Sequence, residues 1–484
     1  MQQKLMKSLR LTVVPVMLVS AAGLLEAQEK PAAEQKKIIA PAKADTGTEA
    51  AVKTEASAPK SPEAGKGTQT ASPAASVAEK SEKSDKPEKE KADKGKLPVA
   101  ISYGDKGLEF DAGEKFSLAM QHRLQFRYAY PFDADPRQLS DMDAEGHSFM
   151  VRRARFRMGG HAFTKWLKYG FQYDWSQPVL RDFYIDVARF SWATLRVGRA
   201  KVIYNDERVA SSGRQQMVNR SILNDVFTVD RQQGLQLMGR LFDNTPADLN
   251  YVVGVFSGRG VGERFNDDVN MMYAARLQWN AVGDPIEWSQ SDHKYTQRWQ
   301  LNIAAGAATT KSNCTAFETD ANSCRALTGY TATTTRNSAG VITATVSPGQ
   351  FQIDQGVFEI RSVYKGFYFK HESHVKRVVD QSINVNTWPR EAEMWGGLVQ
   401  LGYFPHAVLD FVPSELEVAG RYAWVDPNIA VSGNDQQEYA GVLNWFANGH
   451  NNKISFEVTH HVLGNPAGGS VSEQRYRSQW EFTF

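Results

Sequence analysis

The end of the chain alternates strictly between two kinds of side chain. One parity is aromatic except for a single serine, and the other is polar; the two sets are Tyr476, Ser478, Trp480, Phe482, Phe484 and Arg475, Arg477, Gln479, Glu481, Thr483. Successive side chains of a β-strand point to opposite faces, so this run places its aromatic rings on one face and its polar groups on the other. Such a strand suits a boundary between lipid and water.

The same period of two runs through most of residues 115–484. Stretches of about ten residues carry apolar side chains on one parity and charged side chains on the other, as in strands of membrane barrels. A soluble β-sandwich also alternates, but its strands are usually shorter and its outer face is less consistently charged. The sequence therefore predicts an all-β fold: a transmembrane antiparallel β-barrel over residues 98–484, with about sixteen strands.

The N-terminus has the order of segments found in secreted proteins. Basic residues precede the apolar stretch 11–25, and a small-residue site ends at Ala27. This order predicts a signal peptide over residues 1–27 and an exported protein. An anchoring helix is the alternative, but the apolar stretch is short and is interrupted by Pro15 and Gly23.

Residues 28–97 have a different composition from the rest of the chain. They consist mainly of Ala, Lys, Glu, Pro, Ser and Thr, and no Phe, Trp or Tyr occurs before Tyr103. A segment of this kind cannot bury enough apolar surface to offset the entropy lost on ordering. We expect a disordered periplasmic tether. Weak contact of its lysines with an anionic polymer such as peptidoglycan is an alternative role.

Two connections are unusually long. Residues 204–231 mix arginines with apolar side chains, which predicts a loop folded back into the barrel, where it narrows the pore. Residues 305–350 are polar and contain both cysteines of the chain, Cys314 and Cys324. We expect this segment to lie outside the cell, and because exported proteins meet an oxidising compartment, we expect its cysteines to form a disulfide.

If the aromatic parity faces lipid, the opposite parity lines the lumen and is rich in arginine. The predicted lumenal arginines are Arg123, Arg127, Arg153, Arg155, Arg157, Arg196, Arg240, Arg276, Arg298, Arg361, Arg421, Arg475 and Arg477. Guanidinium groups around a narrow water path focus a positive potential that concentrates anions. The planar fork of arginine also suits phosphate-like oxyanions.

Several motifs resemble the phosphate-selective porin O and P family, in the order in which that family has them. They are Phe149–Gly160, Phe171–Asp174, Leu180–Asp186, Leu195–Lys201, Val218–Ser221 and Gly234–Leu237. A weaker likeness extends to the C-terminus, so that it covers about residues 101–484. The resemblance implies a homotrimer of sixteen-stranded outer-membrane barrels, in which an arginine ladder leads to a central anion site.

Motif by motif, the resemblance assigns residues of this chain to that site. Arg123 matches a ladder arginine, and Arg152 and Arg153 match the paired arginines of the site. Asp182 falls where the family has an aspartate beside the bound anion. The segment 204–231, which is predicted to fold back into the barrel, contains two further matches, Arg208 and Arg220.

Strict alternation conflicts with this assignment at Arg152. Counting from Ala154 and Phe156 places Arg152 on the lipid face, where a charge at mid-bilayer costs about 2–4 kcal/mol. Either the strand begins or bulges near Arg152, or only Arg153 reaches the lumen. The resemblance favours a strand start or a bulge.

Other functions find less support in the sequence. The pairs His371 with His374 and His460 with His461 lack the accompanying ligands of a metal site, and neither a phosphate-binding glycine loop nor a nucleophile elbow is present. We expect no enzyme activity, no cofactor and no nucleic-acid partner. The sequence predicts an outer-membrane channel for small anions, phosphate or polyphosphate among them. A non-selective porin and a structural or adhesive barrel are the alternatives.

Overall fold

The computed structural model describes residues 99–484 except for nine short stretches. These are 143–144, 259, 261–265, 267–268, 318–326, 328–334, 337–341, 345–349 and 382–390, together with everything before residue 99. The predicted signal peptide (1–27) and the whole of the predicted tether (28–97) lie outside the described residues, as does Cys324.

The described chain is built almost entirely of β-strands in one antiparallel sheet. In chain order they are β1 (Ala100–Gly104), β2 (Gly107–Asp111), β3 (Phe116–Tyr130), β4 (Ser148–Ala162), β5 (Thr164–Asp174), β6 (Val179–Phe190), β7 (Ala193–Lys201), β8 (Arg231–Leu241), β9 (Leu249–Phe256), β10 (Met272–Val282), β11 (Gln300–Ser312), β12 (Thr335–Arg336), β13 (Ile342–Ala344), β14 (Phe351–Tyr364), β15 (Phe367–Asp380), β16 (Glu391–Tyr403), β17 (Leu416–Asp426), β18 (Gln436–His450), β19 (Asn452–Gly464) and β20 (Ser470–Thr483). β12 and β13 form a separate small hairpin.

The barrel closes where the last strand meets the first long one. β20 pairs with the second half of β3, from Tyr476 opposite Tyr130 to Thr483 opposite Arg123. The first half of β3 pairs with β2, which is joined to β1 in a hairpin. Without that hairpin and the β12–β13 hairpin, the strands form a closed antiparallel barrel of sixteen, which confirms the predicted fold class.

The two faces of the wall have the predicted compositions. Exposed apolar side chains such as Phe126, Leu237 and Trp480 cover the outer face. The opposite parity points inward and carries charged and amide groups, many of them buried. Among the described residues, no helix is both long and apolar enough to cross a membrane.

Register shifts interrupt this alternation at several points, and two of them are β-bulges that involve arginines. In the pairing of β3 with β4, Gln125 lies opposite Arg153 but Phe126 lies opposite Val151, so Arg152 is an extra residue. In the pairing of β5 with β6, Gln172 lies opposite Asp182 but Tyr173 lies opposite Leu180. A bulge lets a residue leave the face that strict alternation assigns to it.

Most connections are short at one end of the barrel and long at the other. Phe484 pairs with His122 through two backbone hydrogen bonds, so this end is called the Phe484 end and the opposite one the loop end. At the loop end lie the connections 131–147, 202–230 and 313–350. The last is shorter than predicted because β11 continues to Ser312. The Phe484 end has two longer connections, residues 283–299 and 404–415.

Candidate functional site

The connection 202–230 folds into the barrel, as predicted, and is called the inward loop. Its residues are buried or half-buried apart from Arg214, and it contains two short helices, Asp206–Val209 and Leu223–Phe227. The second helix packs its apolar side chains in one cluster with wall residues such as Leu398 and Val378. Apolar residues within an otherwise polar loop therefore fix it against the wall.

Carboxylates of the wall accept hydrogen bonds from the backbone of the inward loop. Glu372 accepts from the amide of Glu207 at 2.7 Å, Glu457 from that of Val218 at 2.7 Å, and Glu438 from that of Ile222 at 2.9 Å. A buried backbone amide that has no acceptor costs free energy, so each of these hydrogen bonds favours the folded loop. The acids of β15, β18 and β19 thus hold the inward loop in place.

Four cationic side chains converge on one short stretch of this loop, Ala210–Ser212. Arg123 donates to the Ser211 hydroxyl at 3.0 Å and to the Ser212 hydroxyl at 2.8 Å. Arg155 donates to the same Ser212 hydroxyl at 3.0 Å. The two guanidinium groups therefore share one small oxygen acceptor.

The other two cations share the carbonyl oxygen of Ala210. Lys201 Nζ donates to it at 3.2 Å, and Arg220 Nη2 donates to it at 3.0 Å. Both nitrogens are thus close to a single oxygen atom, in the way that two cations hold an oxyanion. The stretch Ala210–Ser212 and these four cations, Arg123, Arg155, Lys201 and Arg220, are called the basic arc.

Gly213 leaves the room that Arg123 needs. A Cβ atom at this position would lie 2.3 Å from Arg123 Nη1 and 2.4 Å from Glu481 Oε1. A larger residue would therefore displace the guanidinium group from the two serines.

Arg153 is joined to the basic arc through an amide. Its Nη1 donates to Gln125 Oε1 at 2.9 Å, and Gln125 Nε2 donates to the carbonyl oxygen of Ser212 at 3.1 Å. Arg152 takes another direction, since its Nε lies 3.1 Å from Asp133 Oδ2 of the connection 131–147. Of the alternatives considered at Arg152, a strand start or a bulge against an inward Arg153 alone, the structure has the bulge. The two neighbouring arginines contact different parts of the lumen.

Asp182 and Arg208 belong to a chain of ion pairs beside the arc. Arg231 makes a bidentate pair with Asp182 at 2.7 and 3.0 Å and also approaches Asp230 at 3.4 Å. Asp230 in turn binds Arg208. Burial opposes ionisation of Asp230, but Arg208 and Arg231 hold the pKa of this carboxyl below its usual range. Among the described contacts, Asp182 therefore has the arrangement of a residue that orients an arginine.

Sequence reasoning missed several members of this region. Ser211 and Ser212 carry no sequence signal apart from their place in the inward loop, and Lys201 is the last residue of β7. Arg181 has lipid-facing parity in strict alternation, yet it is buried beside Asp174 at 3.7 Å because of the bulge in β6. The sequence did offer one signal for such a bulge, namely a charged residue at a position where strict alternation expects an apolar side chain.

The two halves of the inner wall differ in how far they are covered. On β15 to β18, inward side chains such as Glu372, Gln400 and Glu438 are fully buried under the inward loop. On β4 and β5, Arg157 is exposed and its cross-strand neighbour Gln172 is half-buried. The inner wall is thus less covered on the side of β4 and β5 than on the side of β15 to β18.

The connection 283–299 enters the barrel from the Phe484 end. Trp288 lies over the guanidinium groups of Arg276 and Arg361, with the ring centroid 4.9 and 4.7 Å from their central carbons. The amide of Gln290 donates to the carbonyl oxygen of Arg214 in the inward loop at 2.8 Å. The lumen is therefore narrowed from both ends.

The cysteine and histidine expectations have different outcomes. Cys314 is buried and disulfide-bonded. Because Cys324 lies outside the described residues, the pairing of these two cysteines stays a prediction. His374 contacts Glu372 at 2.9 Å and stacks on Phe227. In the part of the chain that the structure describes, no cluster of three or more His, Cys, Asp or Glu side chains could hold a metal ion.

A closed barrel with an apolar outer wall, a polar interior and an inward loop defines a porin-type channel of the bacterial outer membrane. The chain belongs to the family described as phosphate-selective porin O and P, whose sequence model matches residues 121–462. The resemblance stated from the motifs is thereby confirmed, and the protein is an outer-membrane channel.

Solved structures with similar folds come from several bacteria. OmpT, an outer membrane protein of Vibrio cholerae, is 8% identical to this chain, with a TM-score of 0.45. The alignment covers 76% of this chain and 97% of the OmpT chain. The outer membrane channel DcaP of Acinetobacter baumannii is 10% identical, with coverages of 76% and 97% and a TM-score of 0.44. An anion-selective porin from Comamonas acidovorans is 10% identical, with coverages of 76% and 99% and a TM-score of 0.44. No curated protein matches the sequence.

Proposed function

We propose that the protein is an anion-preferring channel in which small oxyanions, phosphate or polyphosphate among them, pass the basic arc. The observation that carries this proposal is the convergence of four cationic side chains on Ala210–Ser212. Within Ala210–Ser212, each of their oxygen acceptors is an uncharged hydroxyl or carbonyl group. An oxyanion that replaces these acceptors gains charge-assisted hydrogen bonds, which are stronger than neutral ones.

The same arrangement keeps binding moderate. An entering anion replaces hydrogen bonds that the four cations already make to the protein, so only the difference in strength contributes to its affinity. Conduction requires this balance, because an ion held too tightly blocks its own path. Nearby acids lower the affinity further: Asp174 pairs with Arg155 at 2.6 Å.

The water path of this proposal follows the less covered half of the wall. Arg157 and Lys168 are exposed there, whereas the opposite half is covered by the inward loop. A low-dielectric wall focuses the field of such charges into the water path. Anions are thus attracted to the same side on which the basic arc lies.

Planar-bilayer recording tests the proposal. In wild-type protein the reversal potential in a KCl gradient should show preference for chloride, and added phosphate should block the chloride current. R123Q and R220Q should each weaken this block by about tenfold, the effect of losing one hydrogen bond to a charged group. R377Q is the matched control, since Arg377 forms an exposed pair with Glu391 away from the arc.

Three outcomes would contradict the proposal. Equal permeabilities for potassium and chloride would favour a non-selective porin. A barrel without conductance would favour a structural or adhesive protein. If R377Q weakened the block as much as R123Q, the effect would arise from total charge and not from the arc.

The assembly and the N-terminal segment complete the proposal. The family resemblance supports a homotrimer embedded in outer-membrane lipid, which crosslinking of the protein in intact membranes would detect. The composition of residues 28–97 supports a tether in the periplasm after cleavage of residues 1–27, in weak contact with peptidoglycan. Co-sedimentation of the full chain with purified peptidoglycan, compared with a chain lacking residues 28–97, tests that contact.

A further inference from the structure

A second connection at the loop end also turns into the barrel. The stretch 131–142 between β3 and β4 is called the mouth loop. Asp133 Oδ1 lies 2.7 Å from Arg127 Nη1, and its Oδ2 lies 3.1 Å from Arg152 Nε. Asp135 Oδ1 lies 2.5 Å from Arg477 Nη2. Two loop carboxylates therefore occupy three arginines of the lumen.

These contacts place carboxylate oxygens where an oxyanion would bind. Arg127 and Arg477 project from neighbouring strands, β3 and β20, and both are almost fully buried beneath the mouth loop. Carboxylate and phosphate oxygens make the same kind of forked contact with guanidinium groups. An anion that enters from the loop end and binds these arginines must therefore replace Asp133 or Asp135.

The two carboxylates are charged in this setting. Burial opposes the charged form of Asp133, but Arg127 and Arg152 hold its pKa below the usual range. Burial also opposes ionisation of Asp135, but Arg477 and His461 lower its pKa. Both groups are thus present as anions at neutral pH.

The mouth loop is fastened to the inward loop at two points. Asn219 Nδ2 donates to the carbonyl oxygen of Asp133 and to Asp135 Oδ2, each at 3.2 Å. Arg137 makes a bidentate pair with Asp225 at 2.7 and 2.9 Å. These contacts between the two loops, called the clamp, keep the carboxylates of Asp133 and Asp135 close to their arginines. The carboxylates therefore have a high effective concentration there.

We propose that Asp133 and Asp135 are specificity-determining residues: tethered carboxylates that compete with passing oxyanions for Arg127, Arg152 and Arg477. The inference rests on the proposed anion channel. It adds that carboxylates of the protein itself compete with the passing anion. Because the competitor is always present, weakly binding anions are excluded from the mouth arginines and strongly binding oxyanions displace it. The mouth loop thereby sets the affinity threshold for entry.

Removing the carboxylates is the direct test. The double variant D133N/D135N should tighten phosphate block of chloride current by about two- to fivefold, the range expected for loss of partly exposed ion pairs. The reversal potential should also move toward that of chloride. An unchanged block and potential in protein that still shows the heat-dependent gel mobility of a folded barrel would overturn the inference.

Variants of the clamp separate competition from simple charge. R137Q and D225N both loosen the mouth loop but change the local charge in opposite senses. Tethered competition predicts that both tighten phosphate block, because the carboxylates lose effective concentration in either case. A purely electrostatic role predicts a weaker block in R137Q and a tighter one in D225N, and that result would overturn the inference.

An exposed pair at the same end of the barrel provides the control. R377Q and E391Q remove the two partners of an ion pair that touches neither the mouth loop nor the basic arc in the described contacts. Both should leave the block within about 1.5-fold of wild type, as for other exposed ion pairs. If wild-type protein shows no anion preference, the proposed function and this inference both fail. If wild type is blocked by phosphate but the mouth-loop variants match it, only this inference fails.

Discussion

Arg152 and Arg153 are adjacent in β4 yet reach different partners across the lumen. Arg152 lies 3.1 Å from Asp133 of the mouth loop, whereas Arg153 donates to Gln125 at 2.9 Å on the neighbouring strand. The bulge at Arg152 makes this divergence possible, because it adds one residue opposite β3 without shifting the rest of the strand. Arg152 thus contacts the mouth loop, and Arg153 is linked to the basic arc through Gln125.

This relationship predicts the effect of deleting one of the two arginines. Either deletion yields the same sequence, in which the remaining arginine takes the inward position of Arg153 and the bulge is lost. The barrel should fold, as measured by heat-dependent gel mobility. Deletion of Val151 is the contrasting variant: it also shortens the strand but moves an arginine to the lipid face, which costs about 2 kcal/mol or more at mid-bilayer. Equal folding of the two variants would contradict the assigned bulge.

Strand pattern and overall architecture could be predicted from the sequence because they depend on a strictly local rule. Period-two alternation, visible around Tyr476 and Trp480, reports which face each residue takes, and antiparallel neighbours then follow in chain order. The inward loop was also predictable, since apolar residues such as Leu223 and Phe227 need a buried surface.

The details of the site could not be predicted, because they depend on contacts between distant segments. Ser212 meets Arg123 and Arg155 only after the inward loop has folded against the wall. Strict alternation alone would place Arg181 on the lipid face, because it does not allow for the bulge in β6. The mouth loop was missed because nothing in its sequence distinguishes inward carboxylates from those of an exposed loop.

Asp182 provides a test of its role as a positioning residue. D182N removes the bidentate pair with Arg231 and leaves that arginine with more unsatisfied hydrogen-bonding capacity. We expect phosphate block to become tighter by about two- to fivefold, as for loss of a partly exposed ion pair. D186N is the control, because Asp186 pairs with Arg196 in the same wall at 2.8 Å. A weaker block in D182N alone would instead show that Asp182 helps to bind the anion.

The predicted disulfide should stabilise the segment around Cys314, which contacts the inward loop. Close to Cys314 in the chain, the carbonyl oxygen of Thr315 accepts a hydrogen bond from Lys376 at 2.5 Å, and Phe317 pairs with Val229. We expect mass spectrometry of unreduced protein from intact membranes to find no free thiol. The double variant C314S/C324S should show noisier open-channel current than wild type. Free thiols in the native protein would contradict the predicted bond.

Trp288 provides a test of the narrowing at the Phe484 end. Its ring contacts two lumenal guanidinium groups, those of Arg276 and Arg361, and each such contact contributes about 0.5–2 kcal/mol. W288A should therefore loosen the connection 283–299 and raise single-channel conductance, since it also removes a large side chain from the lumen. W299A is the matched control, because Trp299 is half exposed and donates to Ser362 at 2.8 Å. Equal conductance of W288A and wild type, measured in planar bilayers at the same salt concentration, would show that the water path does not pass this connection.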